Sequence, residues 1–81
     1  MKVSVDISMY PMNPDFEPPI LEFIKKLRNS SFTVLENPLS TQIYGDYDAV
    51  MDFIKIAMKD TFIHEEMCVF TMKFIKGDRT L

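Results

Sequence analysis

From residue 2 to residue 10 the chain alternates apolar and polar positions. Val3, Val5, Ile7 and Met9 point one way, and Ser4, Asp6, Ser8 and Tyr10 point the other. A period of two describes a strand with one buried face. Pro11, Asn13 and Pro14 interrupt it. The period then lengthens to three and four: Ile20, Phe23, Ile24 and Leu27 share one side of a helix, with Lys25, Lys26 and Arg28 on the others. Asp15 is placed to cap this helix, and Pro18 and Pro19 suit its first turn, where a missing amide donor costs little. The helix is expected to end near Asn29-Ser30-Ser31.

Phe32 to Glu36 predicts a second strand, Asn37-Pro38 a turn, and Leu39 to Tyr44 a third strand closed by Gly45. Asp46 is a suitable cap for a second helix whose stripe is Tyr47, Val50, Met51, Ile54, Ala57 and Met58, with Ile56 left on the opposite side. The last strand covers about Met67 to Ile75. Cys68, Phe70, Met72 and Phe74 occupy one of its faces, and Val69, Thr71, Lys73 and Ile75 the other. The order β-α-β-β-α-β contains two β-α-β units, and right-handed crossovers interleave them into one sheet. The expected fold is therefore α+β: a single ferredoxin-like domain over residues 1–81, with two helices on one face of a four-stranded antiparallel sheet. The expected strand order is fourth, first, third, second.

Charge narrows the partners. Nine Lys and Arg residues against twelve carboxylates give a net charge of −3, without the basic stripe that a phosphate backbone requires, so no nucleic-acid partner is expected. The acidic balance tolerates a cationic ligand. Cys68 is the only cysteine, which excludes an internal disulfide. There is no secretion signal and no apolar run approaching membrane-spanning length, so the expectation is a cytoplasmic protein with no membrane partner.

Helices on one side leave the other side of the sheet open. There the first strand presents Ser4, Asp6, Ser8 and Tyr10, the third Ser40, Gln42 and Tyr44, and the fourth Thr71 and Lys73. Plain solvation is the ordinary condition of such a face. Short hydroxyl and amide groups fixed on rigid strands also suit recognition of a small polar molecule or a second subunit. Tyr10 and Tyr44 could stack on a ring, and Asp6 could balance a positive charge. Catalytic alternatives lack their parts. One His and one Cys do not make a metal site, and His64 reads as a surface residue and Cys68 as a small core residue. Ser40 has no nearby histidine as a base, and Gly45 and Gly77 are the only glycines available for a phosphate loop. Met9, Met51, Met58 and Met72 fall on core faces and read as packing.

The opening Met1-Lys2-Val3-Ser4-Val5-Asp6-Ile7-Ser8-Met9-Tyr10-Pro11 and the segment Asn37-Pro38-Leu39-Ser40-Thr41-Gln42-Ile43-Tyr44-Gly45-Asp46-Tyr47-Asp48 resemble the thiamine-binding protein family. Thr71-x-Lys73 and Gly77-Asp78-Arg79 resemble that family's closing strand and tail. The resemblance implies a ferredoxin-like fold, a homodimer or homotetramer formed by sheet packing, and binding of thiamine or its hydroxymethylpyrimidine half. It implies no enzymatic activity and no other cofactor. Asp6, Ser8, Ser40, Thr41, Gly45 and Lys73 fall on matching motif positions. By strict alternation Thr41 faces the helices, and it reaches the polar patch only through a bulge. The ligand residues expected on this basis are Asp6, Ser8, Tyr10, Ser40, Thr41, Gln42, Tyr44 and Lys73. The alternatives are a regulatory or assembly module whose sheet face serves only subunit contact, and a small cofactor-free enzyme. Fold alone does not choose among them.

Overall fold

The computed structural model describes residues 1–80. Its elements run β1 (Lys2–Pro11), α1 (Glu17–Arg28), β2 (Thr33–Glu36), β3 (Thr41–Asp46), α2 (Tyr47–His64) and β4 (Cys68–Lys76). The strands form one antiparallel sheet in the order β2-β3-β1-β4. This is the ferredoxin-like α+β arrangement that the alternating and helical periods predict.

The core lies between sheet and helices. Val3, Val5 and Ile7 of β1 and Ile43 of β3 meet Phe23 and Leu27 of α1 and Val50, Ile54 and Ala57 of α2. Met9, Met58 and Met72 pack against this cluster, as their spacing implies. Thr61 joins the buried face of α2 by donating its hydroxyl to the Ala57 carbonyl at 3.2 Å. A hydroxyl satisfied inside its own helix can be buried at little cost, and periodicity in apolar residues alone does not reveal it.

Several boundaries differ from expectation. β3 starts at Thr41 rather than Leu39, because Asn37 N–H donates to the Ser40 carbonyl at 3.0 Å and closes a turn over residues 37–40. Gly45 does not close β3 but lies inside it, paired with Val3. Asp15 does not cap α1. Its backbone N–H donates to Asn13 Oδ1 at 3.0 Å, and Phe16 stands at the N-cap. Asp46 occupies the N-cap of α2 without a side-chain cap bond, and its carboxylate lies 3.6 Å from the Met1 ammonium.

Ser4 is the largest correction on the sheet face. It belongs by parity to the solvent side, yet it is only 4% exposed. Gly77, at φ +94°, takes up the left-handed conformation that glycine adopts without strain. Residues beyond β4 then fold back over the sheet. Ser4 Oγ donates to the Gly77 carbonyl at 2.8 Å and accepts from Arg79 N–H at 2.9 Å. Replacing Ser4 with Ala removes both bonds at once. The expected loss is about 1–3 kcal/mol, read as a lower urea midpoint with unchanged slope. A change within error would mean the tail contributes nothing to the folded state.

Candidate functional site

The predicted site residues divide between the two sides of the sheet. On the outer face Asp6 stands opposite Gln42 on β3 and Lys73 on β4. Asp6 Oδ1 accepts from Ser40 Oγ at 2.8 Å and from Gln42 Nε2. Gln42 Nε2 also lies 2.8 Å from Ser40 Oγ, and Gln42 Oε1 accepts from Asn37 Nδ2. The hydrogen bonds from Gln42 and Ser40 hold the Asp6 carboxyl below its ordinary value, and Lys73 acts in the same direction against partial burial. The carboxylate is thus already engaged within the chain. Tyr44 is buried, which removes it as a stacking platform, while Tyr10 is exposed at the far end of the face beside Val69.

Thr41 is on the helix side, opposite Ile7, as strict alternation requires; no bulge carries it outward. There it lines a cleft of about 160 Å³ together with Ser8, Ser40 and Asn37 and the apolar side chains of Phe23 and Ile24. The sequence explains why a gap opens at this point. Pairing of β1 with β3 ends at Ile7–Thr41, whereas pairing with β4 continues to Pro11–Cys68. Beyond Ile7, the flank of β1 turned away from β4 therefore has no strand partner, and its backbone polar groups border the cleft. Helix α1 forms the roof and the 37–40 turn forms the rim. Ser8 Oγ makes a long 3.4 Å contact with the Leu39 carbonyl, and the Leu39 side chain stands 91% exposed at the mouth.

Three of the eight predicted ligand residues, Ser8, Ser40 and Thr41, therefore share the cleft. Asp6, Gln42 and Lys73 lie together on the outer face, and Ser40 belongs to both groups. Sequence reasoning missed Asn37, Phe23 and Ile24. The available signal was the proline at 38, which stops β3 from extending and so leaves β1 uncovered. His64 is exposed, with Nδ1 2.8 Å from the Asp60 carbonyl oxygen, far along the chain from any cleft residue. Cys68 is half-buried, and burial raises its thiol pKa, with Glu65 adding to the effect. No group of side chains suited to hold a metal ion occurs among the described residues. Among those residues no helix is long and apolar enough to cross a membrane.

The sheet order and the paired helices define the class of fold, and known structures share it closely. A Streptococcus pneumoniae protein superposes with a TM-score of 0.87 at 21% identity, over 98% of this chain and 90% of that one. A Thermotoga maritima protein proposed to act in thiamine biosynthesis or salvage gives 0.86 at 20% identity, over 95% and 85%. A domain of unknown function from Bacillus cereus gives 0.80 at 18% identity, over 99% and 80%. At such identities the likeness concerns the fold. The family follows from the sequence itself: residues 2–75 match the YKOF-related family, and the chain belongs to it. No curated protein sequence matches the chain.

Proposed function

We propose that this protein binds a small heteroaromatic molecule in the cleft between α1, β1 and the 37–40 turn, with the hydroxymethylpyrimidine half of thiamine as the best-fitting ligand. The observation that carries this reading is the cleft's combination of size and lining. It measures about 160 Å³; an apolar cavity of about 150 Å³ accommodates one benzene ring, whereas sites for drug-sized molecules start near about 300 Å³. One ring fits, and the thiazolium of thiamine would remain outside. Phe23 and Ile24 offer apolar contact to the ring. Ser8 and Thr41 supply hydroxyl groups that a pyrimidine edge and a hydroxymethyl group require, while Ser40 and Asn37 shape the rim with side chains already bonded to Asp6 and Gln42. The Thermotoga maritima relative, proposed to act in thiamine biosynthesis or salvage, supports a thiamine-related ligand.

The lining also supports a binding protein rather than an enzyme: its polar side chains are hydroxyls and an amide, and the one carboxylate beside them, Asp6, is already held by Ser40 and Gln42. The outer face supports self-association as a homodimer or homotetramer. Tyr10, Leu35, Val69 and Ile75 are exposed there around the Asp6–Lys73 pair, a mixture suited to packing on a second sheet.

Isothermal titration calorimetry with hydroxymethylpyrimidine and with thiamine tests the ligand. Saturable binding near one molecule per chain is expected, with the isolated pyrimidine at least as tight as thiamine. The Thr41→Val substitution keeps the shape and removes the hydroxyl, so affinity is expected to fall about tenfold. Absence of heat with both compounds from a folded sample would refute the ligand assignment.

A further inference from the structure

The cleft and the outer face are not independent, because they share one side chain and one turn. Ser40 lines the cleft, and its hydroxyl donates through the sheet edge to Asp6 Oδ1 at 2.8 Å. Asn37, at the other end of the same turn, also lines the cleft. Its amide donates to Gln42 Oε1, while Gln42 Nε2 donates to that same Asp6 oxygen. The turn is closed by Asn37 N–H and the Ser40 carbonyl at 3.0 Å. Both ends of the cleft's rim therefore terminate on one carboxylate that does not itself line the cleft.

We propose that Asp6 is a positioning residue: from the outer face it fixes the 37–40 rim through Ser40, Gln42 and Asn37, and so couples occupancy of the cleft to the state of that carboxylate. The ligand half of this inference rests on the reading given above, whereas the rim half does not. The charged group facing Asp6 from β4 is Lys73, and from β3 it meets the neutral Ser40 and Gln42. Asp6 is ionised at neutral pH. Its charge-assisted bonds outweigh neutral ones, so protonation loosens the rim. Because its pKa is lowered, the loosening occurs on acidification below the ordinary carboxylate range.

Hydrogen exchange measured by NMR on the unliganded protein reads the rim directly. In Asp6→Ala the Asn37 amide is expected to exchange about tenfold faster, while the core amides of Val5 and Ile43 keep their protection. Asp6→Asn retains an acceptor oxygen and is expected to restore part of the protection. After correction for intrinsic exchange, wild-type protection at Asn37 should step down on acidification, and Asp6→Asn should show no step. Unchanged exchange at Asn37 in Asp6→Ala overturns the proposal, whether or not any ligand binds. Titration with hydroxymethylpyrimidine and thiamine then separates the two halves. Equal weakening of both ligands in Asp6→Asn supports action through Ser40, and weakening of thiamine alone overturns it in favour of direct charge contact. Undiminished binding of both ligands by Asp6→Ala overturns the coupling. A loosened rim in a protein that binds neither compound supports the positioning role and refutes the ligand assignment alone.

Discussion

Leu27→Ala is expected to lower stability by about 2–5 kcal/mol, the range for emptying a fully buried leucine site. Leu27 is fully buried on α1, packed in the cluster that joins Val5, Ile43 and Val50. A domain of 81 residues has roughly 4–12 kcal/mol to lose in total, so this substitution removes a large share of it. Urea unfolding should show a lower midpoint at unchanged slope, and Leu27→Met should cost less than about 1.5 kcal/mol. Helix α1 also roofs the cleft through Ile20, Phe23 and Ile24, so a folded Leu27→Ala protein is expected to bind the pyrimidine more weakly. A loss of stability below about 1 kcal/mol would mean that α1 settles into the gap and the core is less constrained than its burial implies.

Gly45→Val sets two forces against each other. Valine is a strong strand former, and glycine within a strand weakens it by roughly 0.5–1 kcal/mol. Space decides the other way. A Cβ at position 45 would sit 2.6 Å from Phe32 Cδ1 and 3.2 Å from Val50 Cγ2. Phe32 has little freedom to retreat, since its ring packs edge-on to Phe53 with centroids 5.5 Å apart. Overpacking of this kind costs about 1–3 kcal/mol before the two γ-methyl groups are counted, so a net loss is expected. Calorimetric melting checks it, and Phe32→Ala in the same chain should recover part of the loss, because the two sites share one volume. A gain in melting temperature for Gly45→Val alone would show that Phe32 moves freely.

The sheet and its order were legible because period-two and period-3.6 segments followed one another with turn residues between them. Val3 to Met9 alternate without a break, and all three of Val3, Val5 and Ile7 are buried as that pattern requires. The site was legible only in part. Ser8, Ser40 and Thr41 were named from their motif positions, but bringing them to one cleft required knowing where β3 begins. Alternation places Thr41 inward and Asp6 outward, and both placements hold in the structure. It says nothing about the gap beside Ser8, which exists because β1 outruns β3. Ser4 shows the same kind of limit. Its burial comes from a tail 73 positions away that returns at Gly77, and a local pattern carries no record of such a partner.

The position of β1 has a kinetic consequence. It is one of the two inner strands of the sheet, yet both of its partners lie far along the chain, β3 beyond the first helix and β2, and β4 beyond everything else. The β2–β3 hairpin and the two helices need only local closure, whereas seating β1 against β4 must close most of the chain as a loop. Substitutions that weaken the β1–β4 seam should therefore divide unevenly between the two rates. If that seam forms after the barrier, they accelerate unfolding and leave refolding almost untouched. During synthesis Val3, Val5 and Ile7 would then wait without their last neighbour until β4 emerges, so a strand flanked on both sides in the finished sheet is the one exposed longest while it is being made.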